Sequence, residues 1–71
     1  MNVKELMDRL SEFPQDMRVV ISGFEGGVND VQGAAEIEIF LNRNTAWYYG
    51  RHEAVTSYDD DKGDESAAII R

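Results

Sequence analysis

A chain of 71 residues with no cysteine has few ways to hold a fold together. A domain this short buries only about 60% of the surface that its unfolded form exposes. At about 25 cal/mol per Å² of apolar area, that burial is nearly cancelled by chain entropy. Small domains make up the difference with disulfides, metals or self-association. Disulfides and thiolate metal sites are excluded here, and a single histidine leaves no zinc set. The composition therefore predicts one domain over residues 1–71 that works as a homo-oligomer, with no metal and no cofactor.

Charge narrows the partners. Fourteen acids against seven bases give a formal net charge of −7. A polyanion such as nucleic acid, or an anionic membrane, repels such a chain. Charged residues interrupt the first 16 positions, so no secretory leader is read there. No apolar run reaches the roughly 20 residues of a membrane span. The absence of cysteine agrees with a reducing, cytoplasmic setting.

Periodicity gives the elements. Asn2 and Glu5 stand at capping-box spacing, and Val3, Leu6, Met7 and Leu10 follow the helical rule, so the chain opens with a helix that Pro14 stops. Residues 17–22 read as a strand. Its run of Val19, Val20 and Ile21 predicts a central strand covered on both faces. Residues 23–30, with Gly23, Gly26 and Gly27, read as a loop. Residues 35–42 alternate and read as a strand with Glu36 and Glu38 on one face. A turn at 42–44 leads to an aromatic return strand over 45–52. An acidic loop at 59–65 precedes a short last strand at 66–70. That last strand pairs within its own chain or with a neighbour's. The order predicts an α+β fold, with the N-terminal helix packed on a three- to four-stranded, mostly antiparallel sheet.

Catalytic constellations are missing. His52 is the sole histidine, and no serine sits in a nucleophile elbow. Glu36 and Glu38 are roughly 7 Å apart on a strand, but so short a chain offers little room for a sugar cleft. The acidic loop fails the EF-hand pattern twice, with Gly63 at the fifth position from Asp59 and Ile70 at the twelfth. The glycine loop matches neither a P-loop nor a dinucleotide fingerprint, although adjacent glycines expose N–H groups to an anion. The chain is therefore read as no enzyme.

Two surfaces suggest binding. Trp47, Tyr48 and Tyr49 with Arg51 and His52 combine ring faces with a cation. Such a set stacks a base and holds a phosphate, or anchors a protein interface. With the glycine loop they suggest a pocket between subunits lined by Glu25, Gly26, Gly27, Asp30, Trp47, Tyr49, Arg51 and His52. The ligand would be small, such as a signalling nucleotide. The alternative is an acidic inhibitor. In it, the carboxylates of Glu36 and Glu38 and of the loop from Asp59 to Glu65, Asp59, Asp60 and Asp61 foremost, occupy the basic, nucleic-acid-binding groove of a nucleic-acid enzyme or host defence protein.

One resemblance bears on the choice. The series Val3, Lys4, Glu5, Leu6, Leu10, Phe13, Pro14, Gln15, Asp16, Val19, Val20 and Ile21, followed by Gly23, Phe24, Glu25, Gly26, Gly27, Asp30 and Val31, resembles small phage and prophage proteins. Those open with a helix, a proline–aspartate turn, a strand and a Glu-Gly-Gly loop. The likeness covers the first 31 residues and brings no catalytic residue. It implies an accessory or counter-defence role in a host cytoplasm, exercised by binding and blocking.

Overall fold

The computed structural model describes residues 1–59 and 62–71. The chain forms two units, Met1–Gly33 with Ile70–Arg71, and Ala34–Ile69.

The first unit opens with helix α1, Val3–Leu10. The Asn2 side chain accepts the Glu5 N–H at 2.9 Å, and the Glu5 carboxylate accepts the Asn2 N–H at 3.3 Å, closing the expected capping box. The helix ends at Leu10 rather than running to Pro14. The Ser11 hydroxyl donates to the Asp8 carbonyl at 2.6 Å, and the Glu12 and Phe13 amides bond three residues back. These tight bonds end the regular ladder one turn before the proline is reached.

Strand β1 is Val20–Ser22 and strand β2 is Val28–Asp30, paired antiparallel with Val20 opposite Asp30 and Ser22 opposite Val28. The expectation of a central strand over 17–22 is corrected here. β1 is three residues long, sits in a two-stranded sheet, and leaves Val19 and Val20 exposed. A run of β-branched residues carries strand propensity, but propensity does not supply a second partner strand. The segment expected as loop is the other arm of this hairpin. Its reversal is a 3-10 turn, Phe24–Gly26, in which Glu25 at φ 51° and Gly26 at φ 81° lie in the left-handed region. At the far end of the unit the Gly33 and Arg71 backbones exchange hydrogen bonds at 2.6 and 2.9 Å.

The second unit is a three-stranded sheet in the order β4-β3-β5, with β3 at Ala34–Phe40, β4 at Glu53–Ala54 and β5 at Glu65–Ile70. In β3, Ala35, Ile37 and Ile39 are half-buried while Ala34, Glu36 and Glu38 are exposed, as alternation predicts. β4 lies antiparallel to β3, with Ile39 opposite Ala54 and Phe40 opposite Glu53. β5 pairs with the opposite edge of β3, so the last strand completes its own chain's sheet. The α+β class holds, with five strands among the described residues divided between two sheets.

The return strand expected over 45–52 is not a strand. The chain turns at Leu41 and Asn42, where Asn42 has φ 53°, and runs through irregular backbone, bends and a second turn to β4. Aromatic residues favour strands when they lie on a surface that covers them, and Trp47, Tyr48 and Tyr49 are all exposed.

Gly63 is where the backbone has no alternative. It has φ +86°, and a Cβ there would lie 2.8 Å from both the Ile39 carbonyl and the Val55 side chain. Gly63→Ala is expected to cost about 2 kcal/mol in urea unfolding, from left-handed strain and the clash together. Gly33→Ala, where nothing stands within 4 Å of a new Cβ, is expected to stay within about 0.5 kcal/mol of the parent. Equal midpoints for the two variants would refute this.

Candidate functional site

The connection from β3 to β4, residues 41–52, is a loop with a tied neck. The Asn44 amide donates to the Arg51 carbonyl at 3.1 Å, and its side chain donates to the Gly50 carbonyl at 2.9 Å. The Asn42 amide donates to His52 Nδ1 at 2.9 Å. That bond uses Nδ1 as the acceptor and ties the ring to the turn at Asn42. Within the loop the Tyr49 amide closes a turn on the Ala46 carbonyl at 3.1 Å.

The aromatic residues crown this loop. Trp47, Tyr48 and Tyr49 are 93%, 68% and 62% exposed. The Trp47 and Tyr48 rings meet edge to face at 5.7 Å, and Tyr48 and Tyr49 lie tilted at 5.0 Å. Neighbouring rings thus brace each other while presenting area to solvent. At the base, the Arg43 guanidinium stacks 4.2 Å above the Phe40 ring and reaches Glu53 at 3.4 Å. Arg43 is therefore engaged. Arg51 makes no ion pair among the described residues.

The candidate residues fall in two places. Trp47, Tyr49, Arg51 and His52 share the loop, with the first two at its crown and the last two at its neck. Glu25, Gly26, Gly27 and Asp30 belong to the first unit. Glu25 and Gly26 form the hairpin reversal, and the Gly27 N–H is spent on the Phe24 carbonyl at 2.9 Å. Asp30 sits on β2 with its carboxylate 3.7 Å from the Arg18 guanidinium. Sequence reasoning read Asn42, Arg43 and Asn44 as a turn and gave them no part in the site. A signal was available, because residues 39–52 contain no acid in a chain of net charge −7.

The acidic loop is partly committed to structure. The Asp64 carboxylate accepts the Leu41 amide at 2.7 Å, while its own amide donates to Ile39 at 2.8 Å. Asp59 accepts the Thr56 amide at 2.8 Å and the Thr56 hydroxyl at 3.1 Å. Asp60 and Asp61 lie outside the described residues. Among the described residues no helix is long and apolar enough to cross a membrane, and no group of three metal-ligating side chains converges.

No family model, curated protein or solved structure matches the chain.

The Thr56 amide holds the Asp59 carboxyl below its ordinary value of 3.8; desolvation opposes this, and the Thr56 hydroxyl and the Arg43 charge add to the lowering. A depressed folded pKa means that the bond stabilises above the ordinary value and is lost as pH falls through the lowered one. By NMR titration, the Asp59 carboxyl is expected to titrate below 3.8, with the Thr56 amide shift following the same curve. In Asp59→Asn the Thr56 amide should lose this pH response. An Asp59 midpoint at or above the ordinary value would sink the assignment.

Proposed function

We propose that this chain is a non-enzymatic binding protein of the phage accessory or counter-defence kind. It acts in a host cytoplasm as a homo-oligomer and sequesters a small anionic ligand such as a signalling nucleotide. The reading is carried by the exposed aromatic crown Trp47-Tyr48-Tyr49 on the same acid-free loop as Arg51, whose side chain makes no ion pair among the described residues of an acidic chain. Exposed rings offer stacking faces to a base, and a guanidinium offers a fork to a phosphate. In the assembled form His52 extends this surface, the acids Glu25 and Asp30 accept from ribose and base, and Gly26 and Gly27 lend the open backbone of the loop between them. Nothing else among the described residues presents three aromatic faces at one loop.

Calorimetry with a panel of linear and cyclic nucleotides tests the reading. One member should bind, and Trp47→Ala should weaken it by about 10-fold or more, the scale of one stacking contact. Arg51→Gln should weaken phosphorylated members and leave the free nucleoside unchanged. Heat from no member of the panel would remove the reading.

The second reading is the acidic inhibitor of a basic groove, and Glu36 and Glu38 favour it, both exposed on the same side of β3. Its partner would be a basic protein of nucleic-acid-handling type. Inhibition of such a protein should fade with added salt and in the Glu36→Gln, Glu38→Gln double variant. Salt-independent inhibition would dismiss it.

A further inference from the structure

We propose that the groove formed by α1, the turn after it and β1 is the face through which two copies of this chain pair. The proposal rests on the oligomeric part of the reading above and names its interface.

The groove encloses about 610 Å³. Met7, Leu10, Phe13, Met17, Val19 and Val20 line it, and each is between 42% and 65% exposed. These are the residues that the helical and strand patterns assign to an interior. No described residue of the chain is buried. A helix stripe and a β-branched run that stay wet contribute little to folding.

Three observations make a second copy the occupant. The first is exposure. Within the first unit alone, Met7, Leu10, Phe13, Met17, Val19 and Val20 stand 42–65% exposed along one groove, a contiguous apolar patch of the kind that marks a protein interface.

The second is charge. Two copies of net charge −7 repel wherever acids face acids. Among the groove's lining residues only Arg18 is charged, and it leans on Asp30 at 3.7 Å. On α1, Lys4 pairs with Asp8 at 3.2 Å. The groove is thus a near-neutral apolar patch on an acidic chain. It can meet its own image across a two-fold axis without opposing like charges.

The third is chemistry. Without cysteine, association is the remaining means by which so short a chain covers apolar surface. Met7 and Met17 suit such a contact, because unbranched thioether chains repack against a copy of themselves.

The test uses the full chain. Sedimentation and native mass spectrometry should show a dimer at micromolar concentration. Phe13→Asp should weaken it by about 30-fold or more, as for a central interface residue. Because that variant can fail to fold, a second measurement exploits the cysteine-free sequence. Ser11→Cys and Gln15→Cys, both on the groove lining, should yield a disulfide-linked dimer under mild oxidation in at least one case. Tyr58→Cys, 95% exposed in the other unit, should link no faster than random collision allows.

A wild-type chain that is monomeric overturns both this proposal and the oligomeric reading. A dimer that Phe13→Asp leaves intact, with neither groove cysteine linking, overturns this proposal alone and leaves the oligomer with another face. A monomer that takes up an added apolar helical peptide in this groove overturns it in favour of a foreign partner. Nucleotide binding is measured separately and bears on neither outcome.

Discussion

The backbone ladder along β3 is the interaction on which the second unit depends. It pairs with β4 on one edge and β5 on the other, so short flanking strands are held without a buried core. One side-chain carboxylate and one further backbone bond reinforce the ladder where it ends. Asp64 takes the Leu41 amide just beyond β3, and the Val55 amide extends the β4 side onto the Glu38 carbonyl at 3.0 Å. Gly63 fits because its missing Cβ lets one backbone approach another. Hydrogen bonds of this kind stabilise by only about 1 kcal/mol each when solvated, so the unit is specified in register more firmly than it is stabilised.

The first unit shows the same imbalance. α1 is well begun by its capping box and ended by Ser11. Its apolar residues are placed where an interior would want them, yet Val3, Met7 and Leu10 remain exposed. The sequence pattern is written for burial, and one copy of the unit does not provide it.

Legibility followed the range of the forces. The capping box at Asn2 and Glu5, the alternation in β3 and the final strand were readable because each is set by residues close in sequence. β2 was hidden because Val28-Asn29-Asp30 has no strand pattern, and its pairing comes from the reversal at Glu25 and Gly26. Residues 45–52 were misread for the opposite reason. Their propensity is strong, but Asn42 turns the chain away from β3 and residues 45–52 pair with no described strand. At the site, composition alone marked Trp47, Tyr49, Arg51 and His52. Their grouping at one loop, the capture of His52 Nδ1 by Asn42, and the engagement of Arg43 with Phe40 and Glu53 depend on contacts that composition does not encode.

The tied neck of the aromatic loop has an evolutionary consequence. Asn44, Gly50 and Arg51 close it through one side-chain amide and main-chain groups, and β4 begins directly after it at Glu53. The crown at positions 47–49 therefore contributes no side chain to the β3–β4 pairing. Replacing those three residues changes what the loop presents while leaving the scaffold's register untouched. Such a loop is an interchangeable cassette: a lineage under pressure to recognise new molecules can exchange its tip by point mutation and keep the same frame.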